Sequence, residues 1–239
     1  MTFWYEGPLA AFAASATGLD AERDRLVSAS LVCQSAPGAE PAAHHWHPGP
    51  RPGTGVEEMA RALAARSAAG MPLVVLNAPF ALTLLDRELI RHRELTLAAC
   101  LGRHSLCVLD PLVLDRRFDP ERPGHRTLGA LCAHYGAPAA PEPSPLPSPL
   151  ASPLPSPDGG AGGSTDADAV WAATAALLLV RALGHRFAPR LSRLSPAELH
   201  ALQAVWYAAR ARGLVSWCAP AAAAPPVHPA WPLRGARHR

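Results

Sequence analysis

The chain has 239 residues, 49% of them hydrophobic and 17% charged, so it is long and apolar enough to bury the core of one sizeable domain. Its formal charge of +3 is too small to indicate nucleic-acid binding by itself, and apart from histidine all of its basic side chains are arginines. The five cysteines form no CxxC pair, which argues against a zinc ribbon and favours buried free thiols in a reducing compartment.

The first part of the chain predicts an antiparallel meander of strands. The apolar run 9–14 and the alternating run 25–34, joined through a turn at Thr17-Gly18, predict a β-hairpin. Residues 43–47 predict a third strand, and the Pro- and Gly-rich stretch that follows them predicts a loop.

Helices and short apolar strands alternate in the next part. The pattern Thr54-x-x-Glu57 predicts the capping box of a helix, and helices are also predicted over 80–93 and 128–134. Residues 72–77 and 105–110 are short continuous apolar runs, which are typical of strands that helices cover on both faces.

The composition changes after residue 138. Residues 138–157 contain nine prolines and predict an extended spacer, which a flexible Gly-rich joint over 159–163 follows. Such a segment lacks the backbone donors that a helix or a sheet needs, so it reads as an expanded loop inserted into the domain.

Two helices are predicted in the C-terminal part. The first begins at 166 or 168 and runs to about 183, with Gly184 as its C-terminal cap. The second begins with a capping box at Ser195 and Glu198 and has an apolar face. The tail after Cys218 is rich in Ala and Pro, and we expect it to be loosely ordered.

Two stretches carry a family resemblance. Residues 9–20, LAAFAASATGLD, are similar to the first motif of the DnaQ-like, DEDDh-type 3′–5′ exonucleases, where an apolar strand continues as Asp-x-Glu-Thr-Thr-Gly. Ala13 stands at the Asp position and Ser15 at the Glu position. Residues 77–85, NAPFALTLL, resemble the family's second motif, NAPFDLxLL, with Ala81 at the position of the metal-bridging Asp.

The third motif of such relatives reads His-Asp-Ala-x-x-Asp-Ala and opens a long helix. An alignment without a gap puts Ala167 at the His position and Ala172 at the final Asp position. A shifted alignment puts Gly163 and Asp168 at these positions instead. The histidine is missing in both alignments.

The resemblance implies an RNase H-like fold of the α/β class. Its sheet is expected to be mixed, with antiparallel first strands and flanking helices, and a helical extension follows at the C-terminus. We expect an exonuclease-like domain over 1–190 that the Pro-rich insert at 138–163 interrupts. A C-terminal helix and the loose tail then occupy 191–239.

The resemblance also implies a chemistry, the hydrolysis of nucleic-acid phosphodiesters at 3′ ends. Family members hold two Mg²⁺ or Mn²⁺ ions with four carboxylates, and a histidine takes the proton of the attacking water. All five positions are substituted here, so we expect no catalytic residue, no bound metal and an inactive family member retained for nucleic-acid or protein binding. The matching motif residues Thr17, Gly18, Asn77 and Phe80 are the candidate substrate-binding residues.

Two alternatives stay open beside this interpretation. An active exonuclease with a rebuilt site would use Asp168, Asp110 and Asp20, although the preferred interpretation gives Asp110 and Asp115 roles in helix capping and loop geometry. An interaction scaffold would recruit a protein partner through the Pro-rich loop 138–157. Nucleic-acid 3′ ends and a protein bound by that loop are therefore the candidate partners.

Other features predict the location and the surface of the protein. No secretion signal begins the chain and no apolar run is long enough to span a bilayer, so we expect a cytoplasmic protein without a membrane partner. The charged stretch 86–93 predicts a solvated helix face, and the arginines of 116–126 predict a solvated basic loop. His45 and His47 share a face if 43–47 is a strand, which permits adventitious metal binding.

Overall fold

Five strands form one mixed sheet in the protein. The structure is a computed structural model, and it describes residues 3–47, 52–138, 166–218 and 228–235. The spatial order is β3-β2-β1-β4-β5. β1 pairs antiparallel with β2 and parallel with β4, β3 extends the antiparallel side, and β5 extends the parallel side. The predicted α/β fold is confirmed by strands at Leu9–Ala16, Leu26–Gln34, Ala42–Trp46, Leu73–Val74 and Val108–Leu109, which are β1 to β5.

Eight α-helices surround this sheet within the described ranges. Three of them, α3, α4 and α7, are short and show little helical periodicity in the sequence. The start of α4 was expected from the capping role of Asp110, whereas α3 and α7 were not predicted. In chain order, α1 to α8 are Pro52–Ala68, Ala78–Arg93, Leu97–Leu101, Pro111–Phe118, Leu128–Tyr135, Asp166–Arg186, Ala188–Leu191 and Pro196–Cys218.

The core lies on both faces of the sheet because successive side chains of a strand point to opposite faces. On one face Phe12 of β1 belongs to an apolar cluster with residues of α1, α2 and α3. On the other face Ala11 belongs to a cluster with residues of α4, α5 and α6. β4 and β5 are buried on both faces, as their continuous apolar sequence predicts, but each pairs over only two residues.

Two predicted helix boundaries are wrong. α1 begins at Pro52, so Thr54 lies inside its first turn, where its hydroxyl accepts a 3.3 Å hydrogen bond from Arg93 and does not cap the helix. α6 continues through Gly184 to Arg186. A Cβ atom at Gly184 would lie 2.6 Å from Cβ of Tyr5, so this glycine permits a close approach between α6 and the N-terminal segment.

The capping box predicted at the start of α8 is present. The backbone N–H of Ser195 donates to Glu198 Oε2 at 2.7 Å, and the N–H of Glu198 donates back to Ser195 Oγ at 3.3 Å. The predicted apolar face of α8 holds only in part, because Leu199 is buried whereas Val205 is 61% exposed.

Three residues of the charged stretch of α2 are buried, which contradicts the prediction of a solvated face for them, whereas Arg93 is exposed. Asp86, Arg87 and Glu88 are only 4%, 7% and 2% exposed. Arg87 donates to Glu22 at 2.6 Å and to Asp86 at 2.5 Å, and the hydrogen bond to Glu22 is the main reason that the pKa of Arg87 is raised. The other oxygen of Asp86 accepts from the backbone N–H of Leu97 at 2.8 Å. Every buried charge here therefore has a partner.

Two segments cover this charged face. Arg91 donates to the carbonyl of Asp24 in the β1–β2 turn at 2.9 Å. The C-terminal segment 228–235 also packs against this face. Arg87 donates to the carbonyl of Gly235 at 3.0 Å, and Trp231 is only 8% exposed. The expectation of a loose tail therefore does not hold for this segment.

Arg87→Ala tests whether the buried charges need this guanidinium. We expect the free energy of unfolding in urea to fall by about 3 kcal/mol, because Asp86 stays buried and loses its cationic partner. Arg61→Ala is the matched control, since the pair between Arg61 and Glu57 is exposed on the Arg61 side, and it should cost less than about 0.5 kcal/mol. Equal costs in the two variants would contradict this interpretation.

Candidate functional site

The predicted catalytic positions border the carboxyl edge of the parallel strands. β1, β4 and β5 run in the same direction, so their C-terminal ends meet at one edge of the sheet. Ala13 and Ser15 lie near the end of β1, Asn77 follows β4, and Asp110 follows β5. Open α/β sheets hold their ligands at such an edge.

Ala13 and Ser15 lie on the sheet face that α6 covers. Ala13 is half-buried in the apolar cluster of α6 and stands opposite Ser30 of β2, and Ser15 stands opposite Ser28. The hydroxyls of Ser15 and Ser28 are 2.7 Å apart and form a hydrogen bond. The side chain at this predicted catalytic position is therefore held by the neighbouring strand.

The other substituted positions lie on two helices. Ala81 occupies the first turn of α2, is 5% exposed, and belongs to the apolar cluster on the opposite face of the sheet. Ala167 and Ala172 belong to the first two turns of α6, where Ala172 is half-buried. Arg181, near the other end of α6, donates to the carbonyl of Gly7 at 3.0 Å just before β1. The N-terminal turns of α6 therefore lie towards the carboxyl edge.

The residues at these positions do not fit a pair of divalent cations. Mg²⁺ and Mn²⁺ require several oxygen ligands, mainly carboxylates, whereas Ala13, Ala81 and Ala172 offer methyl groups and Ser15 offers one hydrogen-bonded hydroxyl. Over the described ranges, no three His, Cys, Asp or Glu side chains come close enough together to hold a metal ion.

The alternative site built from Asp168, Asp110 and Asp20 does not assemble. These three residues are all described, and they form no such cluster. One oxygen of Asp20 accepts from the backbone N–H of Glu22 at 2.9 Å, within its own turn. Asp110 is engaged by backbone donors of two helix N-termini.

Asp110 is the most constrained polar residue of this edge. Its carboxylate accepts from the N–H groups of Asn77 at 3.1 Å, Ala78 at 2.9 Å and Leu112 at 2.9 Å. The last of these bonds caps α4, as predicted. The side chain is 1% exposed, and this burial raises the pKa of Asp110 from 3.8 to about 6, against the three N–H donors that lower it.

The arginine-rich loop after α4 is partly buried, so the prediction of a solvated loop is wrong for two of its members. Arg122 donates to Asp115 at 2.8 Å, and Arg126 donates to the other oxygen of Asp115 at 2.6 Å. Tyr135 also donates to Asp115 at 2.8 Å. Asp115 is completely buried and binds these side chains, and it does not cap a helix.

The four candidate substrate-binding residues have structural surroundings of their own. Thr17 donates to Asp24 at 3.0 Å, and a Cβ atom at Gly18 would lie 2.6 Å from the same carboxylate. Asn77 adopts a left-handed conformation, with φ of 55°, at the N-cap of α2. Phe80 packs against the apolar cluster of α1 to α3. Their role in binding a substrate stays a prediction.

A basic and aromatic groove between α4 and α8 was not predicted. It is a cavity of about 230 Å³ lined by Arg116, Arg117, Trp206, Tyr207 and Arg210, together with two apolar side chains. The guanidinium carbon of Arg117 lies 5.3 Å from the centre of the Trp206 ring, which is a cation–π contact. The only signal in the sequence was the spacing of Trp206 and Arg210, which places them one helical turn apart.

The groove has an excess of positive charge. Nε of Arg116 is buried and has no hydrogen-bond partner among the described residues. Burial, and then the nearby charge of Arg210, lower the pKa of Arg116. Gln203 of α8 accepts from the N–H of Asp110 at 2.8 Å, so Trp206, one turn further along α8, lies beyond the carboxyl end of β5. The groove therefore borders the same edge as the predicted site.

The raised pKa of Asp110 predicts a specific pH dependence. In the unfolded chain this carboxyl loses its proton near pH 4, but in the fold it keeps the proton up to about pH 6. The wild type should therefore lose stability relative to Asp110→Asn as the pH rises from 4 to 6, by about 1–3 kcal/mol. Urea unfolding of both proteins at several pH values measures this difference, and a difference that stays constant or grows in the opposite direction would contradict the assignment.

Within the described ranges, no helix combines the length and the apolar character that crossing a bilayer requires. The expected absence of a membrane partner and the cellular location stay predictions.

The comparison with solved structures supports the fold. Exonuclease I matches with a TM-score of 0.52 at 12% identity, over 79% of this chain and 43% of that one. Exonuclease I in complex with SSB-Ct matches with 0.50 at 14% identity, over the same shares. Exonuclease I of Methylocaldum szegediense matches with 0.49 at 16% identity, over 78% and 42%.

The chain thus spans less than half of the length of these proteins. No family model and no curated protein matches the sequence. With its five-stranded mixed sheet and flanking helices, the chain shares the RNase H-like fold of exonuclease I.

Proposed function

We propose that this protein has an exonuclease fold but has lost two-metal phosphodiester hydrolysis. We also propose that it binds single-stranded nucleic acid without cleaving it. The observation that carries the proposal is the set of side chains at the carboxyl edge. Alanine stands at Ala13, Ala81 and Ala172, and serine at Ser15, where the DnaQ-like family has carboxylates. The proposed loss of activity follows from this missing negative charge.

The physical argument is one of ligand charge. Two divalent cations carry four positive charges, and a protein holds them with several anionic oxygens. The positions above supply no anionic oxygen, and the hydroxyl of Ser15 already bonds to Ser28. Asp110, the carboxylate that follows β5, is buried and accepts three backbone hydrogen bonds.

A digestion assay tests the loss of hydrolysis. We expect 5′-labelled single-stranded DNA and RNA oligonucleotides to keep their length with the full chain at high concentration, in Mg²⁺ and in Mn²⁺.

The combined variant Ala13→Asp, Ser15→Glu, Ala81→Asp, Ala167→His and Ala172→Asp should bind Mn²⁺ more tightly than the wild type in calorimetric titration, because it restores four anionic ligands.

The matched control carries Asn, Gln, Asn, Gln and Asn at the same five positions. These side chains have nearly the same volume without the charge, so this control should bind Mn²⁺ no better than the wild type. Shortening of the oligonucleotides by the wild type that disappears in Asp168→Asn would overturn the proposal, because it would show hydrolysis by a rebuilt site in this chain.

The groove between α4 and α8 supports the binding part of the proposal. Arg116, Arg117 and Arg210 form a compact cationic surface on a chain whose overall charge is only +3. Phosphate oxygens accept hydrogen bonds from guanidinium groups, and Nε of Arg116 lacks a partner among the described residues. Trp206 and Tyr207 add aromatic surface on which bases stack. Single-stranded nucleic acid supplies both phosphates and exposed bases.

Fluorescence anisotropy with labelled dT and rU oligonucleotides tests this binding. The double variant Arg117→Gln and Arg210→Gln should bind several-fold more weakly, and the slope of log affinity against log salt should fall by about 1 for each lost arginine contact. Arg103→Gln is the control, because this exposed arginine lies outside the groove. Equal affinities in the wild type, the double variant and the control would contradict the assignment of the groove.

A further inference from the structure

We propose that His45 and His47 form a two-nitrogen binding site for a borderline divalent cation such as Zn²⁺. His45 lies in the edge strand β3 and His47 directly follows that strand, and the rings of the two residues are in contact on one face. Their Nε2 atoms are 3.2 Å apart. This inference is independent of the function proposed above, because it does not involve the substituted catalytic positions.

The separation of the two nitrogens suits a shared metal ion. A tetrahedral Zn²⁺ with Zn–N bonds of about 2.0–2.1 Å holds two ligand nitrogens roughly 3.3–3.4 Å apart. The observed 3.2 Å is close to this separation. Without a metal the same distance corresponds to a hydrogen bond in which one neutral ring donates to the other. A bound cation would lie off the line between the two nitrogens, and the donating ring would carry its proton on Nδ1 instead.

Ser30 fixes the orientation of the first ring. Its Oγ lies 2.6 Å from Nδ1 of His45, and Ser30 is completely buried opposite His45 in the pairing of β2 with β3. When Nδ1 carries the proton and donates to Ser30, the lone pair of Nε2 points outward to a metal. Hydrogen bonds of this kind hold the tautomer and the ring of metal-binding histidines.

The pair lies on the same face of the sheet as Ala13 and Ser15. Ala13 stands opposite Ser30, and Ser30 stands opposite His45, so the three residues form a row across β1, β2 and β3. His45 is thus two strand spacings, or about 10 Å, from Ala13. Imidazole nitrogen favours Zn²⁺, Ni²⁺ and Cu²⁺ over Mg²⁺, so this site would select different ions from those of the exonuclease family.

The two histidines would supply two of the ligands of the ion. Within the part of the chain that the structure describes, no group of three His, Cys, Asp or Glu side chains is close enough together to hold a metal ion. His44 provides a natural control, because it points to the other face, where its ring lies 5.1 Å from that of Trp46.

Calorimetric titration of the untagged full chain with ZnCl₂ at neutral pH tests the proposal. We expect saturable binding of one ion per chain that a large excess of Mg²⁺ does not displace. His45→Gln and His47→Gln should each weaken the affinity at least about tenfold, and Ser30→Ala should weaken it about tenfold, because the ring of His45 loses its orienting partner. His44→Gln should bind Zn²⁺ like the wild type.

The variants also separate a specific site from general histidine binding, since the chain has 11 histidines. Far-UV circular dichroism checks that each variant is folded, and the exposed position of His47 makes its substitution the safer of the two. The proposal is overturned if Zn²⁺ binding is not saturable, if it is unchanged in His45→Gln and His47→Gln, or if His44→Gln loses as much affinity as they do.

Discussion

The carboxylate of Asp110 organises the edge of the sheet on which the candidate site depends. It accepts hydrogen bonds from the first N–H groups of α2 and α4, which follow two adjacent parallel strands, and its own N–H binds Gln203 of α8. One buried residue therefore joins two helix starts through its carboxylate and a third helix through its backbone N–H. Helix N-termini leave backbone donors without partners, and a single carboxylate satisfies three of them here. α4 begins at Pro111, directly after Asp110, and α2 begins at Ala78, a few residues after the end of β4.

Several positions at this edge hold uncharged side chains. Four carboxylates close to one another repel unless cations separate them, so an exonuclease site of this kind depends on its metals. Ala13, Ser15, Ala81 and Ala172 bring no charge to the edge, and Ser15 bonds to Ser28. The sheet can therefore keep its shape without an ion at this position. The polar groups on the same face, the paired serines and the two histidines of β3, have nitrogen and hydroxyl chemistry in place of carboxylate chemistry.

Charged side chains account for the largest differences between expectation and structure. The run from Asp86 to Arg91 has the alternating charges of a solvated helix, yet the β1–β2 turn and the C-terminal segment 228–235 cover it and supply partners for its charges. Arg122 and Arg126 likewise surround the buried Asp115. Local periodicity reports which side chains are polar. It does not report whether a distant segment returns to bury them, because the partners lie far away in sequence.

The sequence by itself determined the strands of the meander, the long helices, the capping box of α8 and the identity of the residues at the family's catalytic positions. These features depend on residue type and local spacing, which folding does not change. Only the tertiary structure decided that Gly184 allows close packing against Tyr5, that Asp110 joins two helix starts, and that the arginines of α4 meet the aromatic residues of α8. It also decided that Nε2 of His45 and Nε2 of His47 lie 3.2 Å apart. Such relations are distances between parts of the chain that pair only after the core has formed, so no local pattern encodes them.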